Sequence, residues 1–591
     1  MSDAPSGAPS PPEAARVLAE IATLLELHSA DPFRARAFAA AARALEGTDR
    51  DLVALARAGE LTSLPGIGPG IASVLEELLL TGRSRMHEEL VAKTPVGLFD
   101  LLRLPGLGLK RIRTLYEELG IDSLDALEAA ARAGRLSTLP GFGVKMQEKV
   151  LEGIAFARSV LGRRLYAWAL EVAKRLEDWL RGRPEVSSAA IAGSVRRCLE
   201  VIERIDLVAA SSDPAETLGA FGELAGFSGV RRGSEGDTLE ARLSDGLPVR
   251  LRCVPAARYA AALLWETGSE AHLAALQERG ASLGFALDRD GLMRDGRRRR
   301  TAGEAALYSA LGLQYLPPEL REGLGEVELA ASGRVPRLVE FQDLRGTFHC
   351  HTTASDGKST LEQMAQGAAS LGWEYLGIAD HSRTAAYARG LSPETLLAQR
   401  DAIHELNAAR DGKGVHLFAG TESDILPDGS LDYPDDVLAR LDYVVGSVHS
   451  GQRMTPEAMT ERLVRAVRHP RLTILGHPTG RLLLRREGYS FDLDAVLDAA
   501  AEAGVIIETN GHPNRLDLGW RELRRAAARG LPIAIDPDAH SVDALAHVRY
   551  GVNMARKAGL EPRQVLNCWP RSEVESYFAQ RKQAGSARAN R

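Results

Sequence analysis

GTFHCHTTASDG, residues 346–357, is a short apolar run that ends in two histidines and, five residues later, an aspartate. His349 and His351 stand at i and i+2, so on a strand they point to one face. Six further apolar runs follow: YLGIA (375–379), VHLFAG (415–420), DYVVGS (442–447), LTILG (472–476), VIIET (505–509) and PIAID (532–536). Amphipathic helical stretches lie between most of them. Seven strands alternating with helices predict a parallel α/β barrel of unusual strand number over 345–578.

The strand ends of that barrel carry a pattern. Beside His349, His351 and Asp356 stand Asp380 and His381 in IADHS, Glu422 in AGTESD, His449 in VGSVHS, His477 in ILGHP, and Asp538 with His540 in DPDAHS. In parallel barrels the loops converge at the C-terminal strand ends, where the chemistry is carried. Six of the chain's 14 histidines occupy this one rim. One such histidine is more often structural. Six, with Asp356, Glu422 and Asp538, predict a metal cluster. Mixed imidazole and carboxylate donors suit Mn²⁺, Zn²⁺ or Fe²⁺, and nine donors exceed what one ion takes, so two or three ions are expected, with Glu422 as the bridge. A cluster of this kind makes hydroxide at neutral pH and steadies both oxygens of a phosphoester displacement, which predicts metal-assisted phosphoester hydrolysis.

Upstream, one motif occurs three times: LPGIG (64–68), LPGLG (104–108) and LPGFG (139–143). Each lies between two helix-like stretches. Gly66, Gly68, Gly106, Gly108, Gly141 and Gly143 allow positive φ and leave backbone N–H groups uncovered. The helix N-terminus that follows can grip a phosphate. Lys110 and Lys145 sit two residues past the last glycine in the second and third copies; Gly70 takes that place in the first. From about 165 to 255 the text changes to short strands: SSAAIAGS (187–194), RIDLVAA (204–210) and LPVRLRCV (247–254). A mostly helical piece follows to about 316, with DGRRRR (295–300) expected as a solvated turn, and the tail AQRKQAGSARANR (579–591) is expected to be disordered.

The bulk numbers exclude several classes. A chain of 591 residues needs several cores. Four cysteines without C-x-x-C spacing argue against a disulfide framework or a zinc ribbon and fit a reducing cytoplasm. MSDAPSGAPSPPEAAR has neither the basic start nor the apolar core of a signal peptide, and no run of 18 apolar residues predicts a membrane span. The net charge of −6 does not exclude a nucleic-acid partner, because backbone amides can hold phosphates.

Taken together the chain resembles a bacterial family X DNA polymerase joined to a polymerase-and-histidinol-phosphatase (PHP) domain. The three glycine turns resemble helix-hairpin-helix motifs, which bind the DNA backbone without reading sequence. DPFRARAFAAAARAL (31–45) with the first hairpin resembles the family's small DNA-end-binding domain, GSVRR (193–197) its nucleotide-binding palm motif, and LGLQYLPPELREG (311–323) the link from thumb to PHP domain. The resemblance implies these domains: 1–92 end-binding, 93–162 fingers-like with two hairpins, 163–256 a nucleotidyltransferase palm, 257–325 thumb-like, 326–344 a linker, 345–578 the PHP barrel and 579–591 a tail. It implies a phosphate cradle at Gly193, Ser194 and Arg197, Asp206 as a metal ligand, and a 3′-5′ exonuclease in the PHP domain working in gap and base-excision repair. All nine rim residues match the PHP pattern. The expected partner is DNA with a gap, nick or 3′ end, with a dNTP as a second candidate ligand. The expected setting is a cytoplasmic, nucleoid-associated monomer.

The palm departs from the family where metal should bind. Of three aspartates that hold two Mg²⁺ ions, only Asp206 is present; Arg204 and Arg250 occupy the other two positions. Glu203 is one step along the strand and so faces the other side. Arg204, Asp206 and Arg250 are expected to form a salt-bridged, net-positive pocket that repels Mg²⁺. In the helix after the first hairpin, Val74 stands where relatives carry a Schiff-base lysine, which argues against lyase chemistry by that route. The leading expectation is a repair nuclease with impaired or absent synthesis. The alternatives are an active, Mn²⁺-dependent gap-filling polymerase with proofreading, a non-catalytic DNA-end scaffold, and a small-molecule phosphatase.

Overall fold

The computed structural model describes residues 11–28, 32–45, 48, 50–102, 104, 107–410 and 412–589. Gly106, in the second glycine turn, lies outside that set, as do the first ten and last two residues. The chain divides into two compact units, 1–161 and 162–591.

In the first unit the described elements are helical: α1 (Pro11–Leu27), α2 (Pro32–Leu45), α3 (Leu52–Ala58), α4 (Pro69–Thr81), α5 (Arg85–Lys93), α6 (Val96–Leu101), α7 (Leu109–Leu119), α8 (Leu124–Arg132) and α9 (Val144–Val160). They bury two apolar cores, one around Leu18, Phe38 and Leu75, the other around Leu98, Ile112, Leu127 and Ile154. The three glycine turns join α3 to α4, α6 to α7 and α8 to α9. Ile67, Leu107 and Phe142, the residues between the glycines, are buried and fix each turn to its core. Gly66 (φ +79°) and Gly141 (φ +84°) take the left-handed conformation that side chains disfavour. Gly68, Gly108 and Gly143 cap α4, α7 and α9 without any side-chain cap, so no side chain satisfies the first-turn N–H groups. Lys110 and Lys145 are exposed in the first turns of α7 and α9.

The second unit begins with a five-stranded mixed sheet: β1 (Val186–Ala192), β2 (Ile205–Ser211), β3 (Ser228–Arg232), β4 (Thr238–Arg242) and β5 (Pro248–Val254), in the order β1-β2-β5-β4-β3. β2 is buried along its whole length, and its parallel pairing with β5 sets Asp206 opposite Arg250. The thumb-like piece adds helices Tyr259–Thr267 and Glu270–Ser282, then short strands Ala286–Asp288 and Gly291–Arg294; the expected turn over 295–300 is confined to Asp295–Gly296, and Arg297–Arg298 form a third short strand paired with Gly291–Arg294, with Arg298 2.6 Å from Asp288 and all four arginines exposed.

The barrel strands follow: β6 (Gly346–Thr347), β7 (Tyr375–Ile378), β8 (His416–Ala419), β9 (Glu422–Asp424), β10 (Val445–Ser447), β11 (Ile474–Leu475), β12 (Ile506–Asn510) and β13 (Ile533–Asp536). All neighbours pair in parallel, β6-β7-β8 and β9-β10-β11-β12-β13. The two groups join through parallel bridges His381↔Glu422 and Cys350↔Ala539. The third expected strand is thus one chain pass broken at Gly420–Thr421, its halves β8 and β9 pairing with different neighbours. Tyr443 explains the glycines here: a Cβ at Gly377 would lie 2.5 Å from its hydroxyl, and one at Gly420 2.4 Å from its ring.

Beneath the rim lies an aromatic floor. Phe348 meets Phe418, Tyr443 and Phe578 with ring centroids 5.9, 5.6 and 5.5 Å apart. Phe578 comes from the C-terminal helix Arg571–Ala589. That helix corrects the expectation of a disordered tail: it continues through the described residues to Ala589, and its buried Val574 and Phe578 close the barrel from below.

The barrel also packs on the palm side of the unit. Lys557, with its side chain fully buried, donates to Arg197 O at 2.9 Å and pairs with Glu322. Arg556 pairs with Glu319 at 2.7 Å, and Asn553 donates to the Tyr166 hydroxyl at 3.2 Å.

Phe578→Ala would remove the lower wall of the floor. A buried Phe→Ala change costs about 3–5 kcal/mol, so the barrel's unfolding transition in chemical denaturation should shift by that order. A loss below about 1 kcal/mol, no more than an average point mutation costs, would show that the helix merely lies on the barrel.

Candidate metal centre

The rim residues converge above the aromatic floor. His349 and His351 follow β6, Asp356 lies in the next loop, His381 follows β7, Glu422 opens β9, His449 follows β10, His477 follows β11, and Asp538 and His540 follow β13. All nine are brought together. Their donor atoms fall into four groups, each within 4.8 Å: His351, Asp356, His381 and His540; His349, Glu422 and His477; His349, His351 and Asp538; His381, Glu422 and His449. Glu422, 1% exposed, is central. Its carboxylate lies 2.8 Å from His381 Nδ1, 3.0 Å from His477 Nε2, and 3.3 Å from both His349 Nε2 and His449 Nε2. Asp538 Oδ1 lies 3.3 Å from His351 Nε2, and Asp356 Oδ1 3.4 Å from His540 Nε2.

The donors fit divalent ions on two observations. First, His349 Nε2, both ring nitrogens of His351, His381 Nδ1, His477 Nδ1 and Glu422 Oε2 are buried without a hydrogen-bond partner. A buried polar atom left so costs about 1–3 kcal/mol, and six clustered on one rim need a ligand. Second, the carboxylates are held ionised. Burial alone would raise Glu422, but the imidazoles of His449, His349 and His381 hold it well below the usual range. Asp538 is likewise held low, against burial, by His349, His351 and Arg515. Metal ligation needs the deprotonated form. The backbone is strained at two of the donors: His477 (φ +23°) and Asp538 (φ +52°) are non-glycine residues at positive φ.

Three supporting residues escaped the sequence reading. Glu508 Oε1 lies 2.6 Å from His349 Nδ1, and Asp424 Oδ1 lies 2.5 Å from His449 Nδ1, so each carboxylate fixes a ring with its other nitrogen turned to the cluster. Both had a signal: Asp424 is i+2 from Glu422, and Glu508 stands in VIIET, on a strand already recognised. Arg515 Nε lies 3.3 Å from Asp538 Oδ2 and comes from a loop that no pattern marked. Asp380, at a strand end, does not join the donors. It braces the first loop, accepting from Thr352 N (2.7 Å) and Oγ1 (2.6 Å) and from Gln399 Nε2 (2.5 Å).

The palm site is built differently. Asp206, 4% exposed, has Oδ1 2.8 Å from Arg204 Nε and 3.0 Å from Arg250 Nε. Gly193 (φ +58°) packs against it; a Cβ there would lie 2.3 Å from Asp206 Oδ2. Glu203 faces away and pairs with Arg163 at 2.8 Å. The expected net-positive pocket is corrected: Glu266, which the sequence did not single out, pairs with Arg250 and lies 3.6 Å from the buried Arg252, which Asp237 and Asp290 also engage, so each guanidinium group here faces a carboxylate. The expected cradle also changes. Arg197 is held by Glu322 (2.9 Å) and the Thr267 carbonyl (2.6 Å), so it stands as a strut between elements rather than as a free phosphate ligand. Ser194 is half-buried in a four-residue helical turn, Gly193–Arg196.

Residues 9–84 match the model of a helix-hairpin-helix domain, 98–155 that of a SAM-like helix-hairpin-helix tandem, 262–322 that of a DNA polymerase beta thumb, and 347–512 that of a PHP domain. The DNA polymerase/3′-5′ exonuclease PolX of Bacillus subtilis (strain 168) is 35% identical over 568 residues, 95% of this chain and 98% of the relative. A probable phosphatase of Caldicellulosiruptor saccharolyticus is 30% identical over 205 residues, 32% of this chain and 78% of the relative. One of Syntrophotalea carbinolica is 26% identical over 231 residues, covering 37% and 90%. Among the described residues no helix is long and apolar enough to cross a membrane.

The ring-orienting carboxylates give a test of the cluster itself. Asp424→Asn and Glu508→Gln should each weaken divalent-ion binding about 10–100-fold, the usual effect of losing such a support. Chelator competition with elemental analysis reads this directly. Unchanged affinity in both would show that the two carboxylates do not orient ligands.

Proposed function

Because the chain belongs to the family X DNA polymerases that carry a PHP domain, we propose that its working centre is the histidine rim, a metal-dependent 3′-5′ exonuclease trimming strand ends at gaps and nicks in DNA. Its gap-filling synthesis is impaired or absent. The observation that carries this reading is the contrast between two buried carboxylates. Glu422 is ringed by imidazoles, several with orphaned nitrogens, and calls for cations from outside. Asp206 already has two cations built in.

In this reading His349, His351, Asp356, His381, Glu422, His449, His477, Asp538 and His540 would hold two or three divalent ions, Mn²⁺, Zn²⁺ or Fe²⁺, around the central carboxylate of Glu422. When bound, such ions supply Lewis acidity and an acidified water at a phosphoester. The chain's own residues do the rest. Glu508 and Asp424 keep His349 and His449 oriented. Arg515 keeps a positive charge at the edge of the cluster, where the anionic oxygens of a phosphodiester arrive. The glycine turns with Lys110 and Lys145 hold the DNA backbone independently of sequence. At the palm, two guanidinium groups within reach of Asp206 repel Mg²⁺, so no two-ion site forms there. A cytoplasmic, nucleoid-associated monomer is the setting this reading implies. The probable phosphatases that resemble the barrel favour a second reading, hydrolysis of small phosphate monoesters; the DNA-type hairpins upstream weigh against it.

A single gel experiment separates these readings. A labelled, gapped duplex is incubated with Mn²⁺, with and without dNTPs, using wild type, His349→Ala and Asp206→Asn. His349→Ala should lower 3′-end shortening at least ~100-fold, as misplacing a catalytic group does, while Asp206→Asn should stay near wild type. Shortening lost in Asp206→Asn but kept in His349→Ala would move the active site to the palm. Efficient primer extension with Mg²⁺ by wild type would overturn the impaired-palm reading.

The Lys110→Ala/Lys145→Ala double variant tests the DNA-holding half. Each phosphate contact contributes about 0.9 to the slope of log affinity against log salt. The slope should therefore fall by roughly 2, equally on unrelated sequences. A loss confined to one sequence would mean that the hairpins read bases.

A further inference from the structure

One exposed aromatic side chain stands at the mouth of the histidine rim with no part in the cluster. Tyr387 is 72% exposed, yet its ring centroid lies 6.0 Å from that of His381 and 6.2 Å from that of His449. Single exposed apolar residues are ordinary on a protein surface. This one differs in where it stands and in how firmly it is held there.

The segment that carries it, 381–391, starts at the rim residue His381 and is braced at both ends. Leu391 N donates back to His381 O at 2.8 Å, and Ala385 N to Ser382 O at 3.0 Å. Thr384 N donates to Asp432 Oδ2 at 2.7 Å, and Thr384 Oγ1 to Asp424 Oδ2 at 2.7 Å. The other oxygen of Asp424 orients His449. One carboxylate therefore fixes both the loop that presents Tyr387 and a ring of the cluster. The backbone comes so close that a Cβ at Gly390 would lie 1.8 Å from Ser382 O. Arg389, also exposed, stands two residues beyond the tyrosine. The result is an aromatic ring carried on a braced loop beside the site where a phosphodiester would be cut.

We infer that Tyr387 is the base-stacking platform of the nuclease centre. It receives the unpaired base of the 3′-terminal nucleotide and so sets the terminal phosphodiester over the metal cluster. This rests on the nuclease reading above and sharpens it: the substrate class is a nucleotide with its base out of the duplex stack, not a small phosphate ester. Every base has a π-face, so such a platform selects nucleic acid without selecting sequence. Tyr387 is a positioning residue and touches no reacting atom.

The test compares two labelled strands that differ only at the 3′ end, one closing in an ordinary nucleotide, the other in a base-less tetrahydrofuran nucleotide. The phosphodiester to be cut is the same in both. Wild type should shorten the base-bearing strand about 5- to 160-fold faster in kcat/KM, the range that stacking one base on an aromatic ring supplies. Tyr387→Ala should bring that ratio close to one with metal content unchanged. Tyr387→Phe and Tyr387→Trp should keep it, because the ring and not the hydroxyl is used. A ratio near one in wild type, or one that survives in Tyr387→Ala, overturns the inference while leaving the nuclease reading intact. A wild-type protein that shortens neither strand overturns both.

Discussion

The constraint on which the barrel depends is the burial of Glu422. A carboxylate with 1% of its surface exposed cannot stay ionised in an apolar interior without partners. Here four imidazoles lie within 3.3 Å of it, and three of these carry nitrogens that find no hydrogen bond. Against the effect of burial, the same carboxylate pushes the His349 and His449 imidazoles up toward their protonated forms, so the site gathers positive charge around Glu422, whether as protons on the rings or as metal ions that would replace them. Much of the surrounding architecture serves to hold it. The aromatic floor of Phe348, Phe418, Tyr443 and Phe578 fills the barrel below the rim. Glycines 377 and 420 let Tyr443 pass between strands, and the break at Gly420–Thr421 starts β9 at Glu422.

The palm meets the same problem and solves it internally. Asp206 is nearly as buried as Glu422, but Arg204 and Arg250 reach it from its own strand end and from the paired strand β5. Glu266 pairs with Arg250 on its far side. Asp206 is the buried partner, while the side chains of Arg204 and Arg250 are 44% and 26% exposed, so losing an arginine leaves the buried carboxylate less compensated. The two sites thus differ in how a buried carboxylate is compensated: by imidazoles around Glu422 and by two guanidinium groups at Asp206, the contrast on which the proposed division of labour rests.

Much of this was legible in the sequence, for physical reasons that differ by region. The rim was readable because parallel barrels place strand ends together, so residues up to 191 positions apart (His349 to His540) could be assigned to one cluster from strand order alone. The glycine turns were readable because positive φ at Gly66 and Gly141 leaves little choice of residue. Pairing of Arg204 with Asp206 followed from strand period 2. What stayed hidden depends on contacts between distant elements. Glu266 lies on a helix whose approach to β5 no local pattern fixes. Arg515 lies in a loop. Phe578 stands at the last position assigned to the barrel, just before the tail expected to be disordered, and only its packing beneath the barrel makes it a core residue.

Arg197 shows most directly how a motif residue can be engaged by the fold around it. By sequence it completes a Gly-Ser-x-x-Arg phosphate cradle. In the structure its guanidinium donates to Glu322 and to the Thr267 carbonyl, while its own carbonyl accepts from Lys557 of the barrel. Glu322 in turn pairs with Lys557, so one buried network ties the palm turn, the end of the thumb-like piece and a barrel helix. A phosphate arriving at this arginine would have to displace Glu322 and leave Lys557 with less compensation in a buried place. The same residue type that could receive a nucleotide instead fixes the palm to the barrel. This joint, together with the pairing of Asp206, is the structural ground of the proposal that the palm holds its neighbour in place and has lost most of its synthesis.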